Sequence, residues 1–198
     1  RTYQLEIIQE PQTSAEFGAA ALSRLPLAPP LVVQLIIRDG RGNQVDSQPE
    51  LPFLISHLSL YTGDGAQALD VASSPGTQFP PDRLLYGNLV SSPHHLRNLQ
   101  GRPGVYFLFP DVSVRMQGRY SLRVTLMRLT GHVFLSCMMQ VGESGAVVTE
   151  AHTRSFDVRP RENYIAPPQT PLTEFFLQQG ARMYAFASRS ARLYDSPF

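Results

Sequence analysis

The run from Phe107 to Val124, Phe-Leu-Phe-Pro-Asp-Val-Ser-Val-Arg-Met-Gln-Gly-Arg-Tyr-Ser-Leu-Arg-Val, constrains the fold more than any other part of the chain. Two extended patterns are joined through a Pro110-Asp111 corner and a glycine turn at Gly118, and arginine recurs along the second. A strand turns successive side chains to opposite faces. Tyr120, Leu122, Val124 and Leu126 are therefore expected to face a core, and Arg119, Ser121, Arg123 and Thr125 to face water or a partner. The same two-residue period puts Arg119 and Arg123 on one side of one strand.

Strand patterns recur along the rest of the chain. Thr2 to Ile8 alternates Tyr3, Leu5 and Ile7 with Gln4 and Glu6, as a half-buried strand does. Leu31 to Ile37 is apolar everywhere except Gln34 and runs into Asp39-Gly40, which reads as a strand buried on both faces. Further strands are expected at Phe53–Tyr61, Leu84–Val90, Val105–Phe109, Val112–Met116, Gly118–Leu129, His132–Val141 and Arg154–Val158. With 17 prolines and 14 glycines in 198 residues, turns are many and a helical bundle is disfavoured. Gln9–Pro30 is a connection whose prolines leave room for no more than one helical turn, at Ala19–Leu22. Thr62–Asp82 reads as a mobile loop or insertion, and Gly142–Gly145 as a turn.

The period then changes. Thr170 suits an N-cap, Pro171 the first helical position and Gly180 the stop, with Leu172, Phe175 and Phe176 forming an apolar stripe between them. A short C-terminal helix is expected there, then a last strand at Met183–Phe186 and an arginine-bearing tail at 188–198. Residues 1–187 read as one domain, which a chain of this length can fill with a single core. The stripe of Leu172, Phe175 and Phe176 has two possible uses, packing on the domain or binding a partner.

Charge is unevenly spread. Residues 1 to 82 carry four arginines against nine acids, whereas residues 83 to 128 carry seven arginines against Asp111 alone. All 17 basic residues are arginine, the better fork for phosphate or guanine. The motifs of chemistry are missing. Gly142-Glu-Ser-Gly-Ala146 has the look of a protease nucleophile loop but no second protease motif accompanies it, so it reads as a hairpin turn. His94-His95 would point opposite ways on a strand, Gly63-Asp64-Gly65 is too sparse for a calcium loop, and no Gly-rich phosphate loop with Lys is present. Cys137 is the single cysteine and is expected to be a buried structural thiol, not part of a disulfide or zinc cluster. No apolar run reaches the length of a membrane span and no signal-peptide pattern is visible, so the chain is expected to be soluble and intracellular. It starts at Arg1, not Met, and reads as an excised domain with any targeting signal outside it.

The central run closely resembles the signature of the velvet family of fungal regulators, Phe-x-Phe-Pro-Asp-Leu-Ser-Val-Arg-x-x-Gly-x-Tyr-x-Leu, through Phe107, Phe109, Pro110, Asp111, Ser113, Val114, Arg115, Gly118, Tyr120 and Leu122. The resemblance extends to Gln9, Pro11 and Gly18, to Arg24, Pro26, Pro29, Pro30, Val33, Gln34 and Leu35, and to Phe156, Val158, Thr170-Pro171-Leu172 and Gln179-Gly180. It departs from the family at Ala15 and Leu25, where arginine is common, at Ala28, where aspartate is, and at Glu162-Asn163, where a basic pair is. Some velvet proteins contact DNA through basic residues before the Pro-Pro element. In Gly18–Leu25 only Arg24 remains, which implies fewer phosphate contacts and a weaker, less salt-sensitive grip.

The resemblance implies a mainly β, immunoglobulin-like or Rel-like sandwich with a short C-terminal helix. It implies a nuclear transcriptional regulator, able to shuttle to the cytoplasm, that forms homodimers or velvet heterodimers and controls development and secondary metabolism. Arg24, Arg115, Arg119 and Arg123 are the expected DNA contacts, and Leu172, Phe175 and Phe176 the expected partner contacts. The alternative is a heterodimerisation module with little DNA binding of its own. No catalysis, cofactor, metal, membrane or small-molecule substrate is expected.

Overall fold

A computed structural model describes residues 1–19, 24–45, 48–69, 71–72, 82–129 and 146–183. The strand expected at His132–Val141 with Cys137, the turn at Gly142–Gly145 and the tail lie outside these residues, as do most of Ala19–Leu22, the last strand after Met183, and much of the Thr62–Asp82 segment.

In chain order the strands are β1 (Thr2–Gln9), β2 (Thr13–Ala15), β3 (Leu31–Arg38), β4 (Leu54–Thr62), β5 (Val71–Ala72), β6 (Asp82–Arg83), β7 (Leu85–Gly87), β8 (Val90–Ser91), β9 (His94–Arg97), β10 (Pro103–Phe109), β11 (Val112–Val114), β12 (Gly118–Arg128), β13 (Ala146–His152) and β14 (Phe156–Arg159), followed by helix α1 (Pro171–Gln178). One sheet runs β1-β3-β10-β9; a second runs β2-β14-β12-β4-β8, with β13 also paired to β12. All pairings are antiparallel except β14 with β2, and β11 pairs with β7 as a short two-stranded ribbon.

The expected alternation holds where it matters. Tyr120, Leu122, Val124 and Leu126 of β12 meet Leu31, Val33, Leu35, Ile37, Phe107 and Phe109 in the core between the two sheets. Every β3 residue except Gln34 and Arg38 is buried, because the odd positions face that core while Val32 faces α1 on the other side. Fully burying one such aliphatic or aromatic side chain is worth about 1.5–3 kcal/mol, so this double-sided strand anchors the molecule. One expectation needs correcting. Ser121 and Thr125, placed outward with Arg119 and Arg123, are buried. They are short side chains on a central strand: Ser121 sits opposite Tyr61 and donates its hydroxyl to the Thr62 carbonyl at 2.8 Å, and Thr125 donates to Glu150 at 3.3 Å.

α1 is too short to persist alone in water. Its ends are held by side chains. The Thr170 hydroxyl accepts from the Thr173 N–H at 3.2 Å, while the Gln9 amide donates to the Pro30 carbonyl at 2.8 Å and to the Thr173 hydroxyl at 3.1 Å, tying the N-terminus to the proline loop. At the other end the Gly180 N–H donates to the Leu177 carbonyl at 2.9 Å with Gly180 at φ +84°, the left-handed stop expected there. The Gln179 carboxamide accepts from the Arg97 N–H at 2.7 Å and donates to the Arg97 carbonyl at 2.9 Å, fastening the helix to the sheet edge at β9.

Candidate nucleic-acid interface

The ribbon of β7 and β11 builds the first arginine pair. Ser113 lies opposite Tyr86, and the Arg115 N–H donates to the Leu84 carbonyl at 2.9 Å, extending the ladder one step past β11. Two further backbone bonds bring distant chain to the same place. The Gly18 N–H donates to the Arg115 carbonyl at 2.9 Å, and the Leu27 N–H donates to the Val112 carbonyl at 2.7 Å, so the segments bearing Phe17 and Arg24 both close on the ribbon.

At their meeting point the Tyr86 ring carries two guanidinium groups. The Arg115 guanidinium lies 5.1 Å from the ring centre and that of Arg24 lies 5.9 Å from it. Arg115 also donates to the Tyr86 hydroxyl at 2.7 Å and sits 5.7 Å from the ring of Phe17, which is edge-on to Tyr86 at 5.1 Å. A cation over an aromatic face is worth about 0.5–2 kcal/mol, and the contact holds the group without cancelling its charge. Two like charges gathered on one ring favour an anion between or above them.

Arg119 and Arg123 form a second pair along the outer side of β12. Arg119 is exposed and donates through Nε to the Ser155 hydroxyl at 3.0 Å. Arg123 lies 4.6 Å from the Tyr61 ring centre and 3.5 Å from the Glu150 carboxylate, which offsets its charge. Arg128, at the end of the same strand, is committed more fully: it bonds the Tyr3 hydroxyl, lies 5.2 Å from that ring and is 3.6 Å from Glu50. The Tyr3 hydroxyl, then the charges of Arg1 and Arg128, hold the Glu50 carboxyl below its ordinary range.

Of the expected partner contacts, Leu172 and Phe176 are spent on the fold: at 8% and 0% exposure they pack with Val32, Leu96, Tyr106 and Leu108 on the outer face of the first sheet. Phe176 meets the Tyr106 ring at 5.0 Å. Phe175 stays half-buried and keeps an edge toward solvent. Sequence reasoning missed Tyr86 and Phe17, the aromatic floor under the first pair. Their only sequence signal is an aromatic next to a glycine, and both Phe17-Gly18 and Tyr86-Gly87 have it. His94 and His95 lie on β9, an edge strand. Among the described residues no group of three or more His, Cys, Asp or Glu side chains is placed to hold a metal ion, and no helix is long and apolar enough to cross a membrane.

The family model for the velvet factor matches residues 3–81 and 70–185. The chain belongs to the velvet family. Its velvet domain is mainly β and Rel-like, with one short C-terminal helix. It is 30% identical over 185 residues to the spore development regulator VOSA of Pyricularia oryzae, covering 91% of this chain and 32% of that protein. To the sexual development regulator umv3 of Mycosarcoma maydis it is 29% identical over 191 residues, covering 92% of this chain and 45% of that one. A developmental and secondary metabolism regulator, veA of Hapsidospora chrysogenum, is 33% identical over 134 residues, 65% of this chain and 24% of the relative. The velvet domain seen here thus spans less than half the length of each of these relatives.

Proposed function

We propose that this velvet domain is the dimerising, DNA-contacting part of a non-enzymatic nuclear regulator of fungal development and secondary metabolism. The relatives named as developmental regulators support the regulatory role. The observation that carries the DNA reading is the pair Arg24 and Arg115 on one tyrosine ring, a preset double cation at the end of a rigid ribbon. Arg119 adds an exposed guanidinium on β12, the next strand in chain order, and Arg123 a partly offset one. One domain presents few phosphate contacts, so two copies, or one copy and a velvet partner, supply useful affinity by doubling the footprint. We take the unit to be residues 1–187, with about 62–82 a loop or insertion and 188–198 a tail, in a nuclear protein able to shuttle to the cytoplasm.

A second reading has its own support. Arg24 is the lone basic residue of Gly18–Leu25, and Glu150 offsets Arg123, which fits a module that joins a regulatory complex and leaves DNA to a better-charged partner. Phe175 is what the helix stripe has left for such contact.

Mobility-shift titrations with duplex DNA across salt concentrations, using wild type, Arg24→Ala and Arg119→Ala, separate the two. DNA contact predicts that each variant lowers the salt slope by about one unit. No shift at low salt, alone or mixed with a velvet partner, removes the DNA reading. Light scattering on the same samples tests self-association.

A further inference from the structure

We propose that the open end of the sandwich, beside edge strand β9, is a binding site for a small apolar carboxylate. A groove of about 610 Å³ opens there, within the roughly 300–1,000 Å³ typical of small-molecule sites. Its floor is continuous with the core: Leu35 and Ile37 of β3 and Val105 of β10 reach it from the inner face of the first sheet, and Leu51 closes it from a short 3-10 turn.

The lip has a different chemistry. In the β9–β10 register His95 pairs with Val105 and Arg97 with Pro103, so their side chains stand on the same face as Val105 and edge the apolar trough. Among the described residues lining the groove none is acidic. The Arg97 guanidinium is oriented by donating Nη1 to the Gly101 carbonyl at 2.9 Å, a neutral acceptor that leaves its charge in place. That carbonyl belongs to a turn organised by Asn98, whose side-chain oxygen accepts the Gln100 and Arg102 N–H groups at 3.0 and 2.9 Å. Gln179 pins both polar groups of the Arg97 peptide from the helix side, so the strand carrying the cation is clamped at two points.

An apolar trough with one oriented guanidinium at its mouth, beside an imidazole, selects a ligand with a hydrocarbon body and a carboxylate head. The head meets Arg97 and the body lies over Leu35, Ile37 and Val105. Such a ligand is an effector, bound and released unchanged, and its site is separate from the arginine pair on Tyr86.

The probe is decanoate, kept below its micelle concentration and added to the isotope-labelled protein while amide and methyl NMR shifts are followed. Saturable shifts are expected at Leu35, Ile37 and Val105. Each buried methylene strengthens binding about fourfold, so hexanoate should bind at least tenfold more weakly. Decanol, which lacks the charge, should bind about tenfold more weakly than decanoate, as should decanoate to Arg97→Gln. Arg102→Gln, on the same turn but outside the groove, should stay within about twofold. Should Arg97→Gln not fold, the decanol comparison decides the charge requirement alone. The proposal is overturned by equal affinity for decanol and decanoate, by shifts confined to exposed residues such as Val147 and Ile165, or by no saturable shift.

Discussion

The two arginine pairs sit in different surroundings. Arg24 and Arg115 share the Tyr86 ring, Phe17 lies edge-on to that ring, and the Tyr86 hydroxyl accepts from Arg115. Arg123 also sits on an aromatic ring, that of Tyr61, but a carboxylate shares it. An aromatic brace restricts a guanidinium and leaves its field intact, whereas a carboxylate restricts it and cancels most of that field beyond a few ångströms. What stands beside a guanidinium therefore decides how much of its charge reaches a partner.

The largest effect should come from the ribbon under the first pair. A Cβ added at Gly87 would fall 1.6 Å from the Asp111 carbonyl oxygen, and Gly87 holds φ at +111°. Gly87→Ala should cost at least about 3 kcal/mol, since both the clash and the backbone strain must be relieved by breaking the β7–β11 ladder. Gly101→Ala is the comparison: its φ of +75° is also positive but nothing lies within 4 Å, so about 1 kcal/mol is expected. Chemical denaturation of both variants checks this. Similar losses at the two sites would mean the ribbon does not brace the arginines.

Next in size is the direct contrast between pairs. Arg115→Ala should weaken DNA binding about tenfold at low salt, and Arg123→Ala by less than about twofold because Glu150 already offsets that charge. Tyr86→Phe keeps the ring under both guanidiniums and removes only the hydroxyl that orients Arg115, so a loss of about threefold with an unchanged salt slope is expected. Mobility shifts on folded variants measure all three. The reverse ranking, with Arg123 dominant, would break the comparison.

Much of this was legible from residue order alone. Period two over Thr2–Ile8 and Tyr120–Leu126 marks β1 and β12, the near-continuous apolar run Leu31–Ile37 marks β3, and Thr170, Pro171 and Gly180 mark α1, because each of these signals is local to the chain. β13 was missed, since Val147-Val148-Thr149 is a short run whose pairing with β12 is decided at long range. The grouping of the arginines was equally hidden. Arg24 and Tyr86 are 62 positions apart and meet only because two backbone hydrogen bonds close their segments on one ribbon. Spacing did put Arg119 and Arg123 on one side of a strand, but could not show that Glu150 arrives beside one of them.

Acid should act on the arginines that share the Glu50 carboxylate. The Glu50 carboxyl titrates below its unfolded value. Its contribution to stability is therefore complete above the unfolded pKa of about 4.3 and is lost as pH falls through the lower folded value. In an acid titration followed by circular dichroism, Glu50→Gln should remove that part of the acid-side loss and leave the slope above pH 5 unchanged. An acid limb identical to wild type would show that Arg1, Tyr3 and Arg128 do not act through this carboxylate.

The smallest effect comes from removing the carboxylate beside Arg123. Glu150→Gln keeps an oxygen able to accept from Thr125 but takes the negative charge away from Arg123, leaving that guanidinium on the Tyr61 face alone. The exposed ion pair contributes only about 0.2–1 kcal/mol, so stability should barely change. DNA affinity should rise about twofold at low salt and the gain should vanish near 1 M salt, where the screening length falls to about 3 Å. A gain that survives high salt would point to a new hydrogen bond, not a restored field, and no gain at all would place the outer side of β12 away from the DNA and give that face to a protein partner.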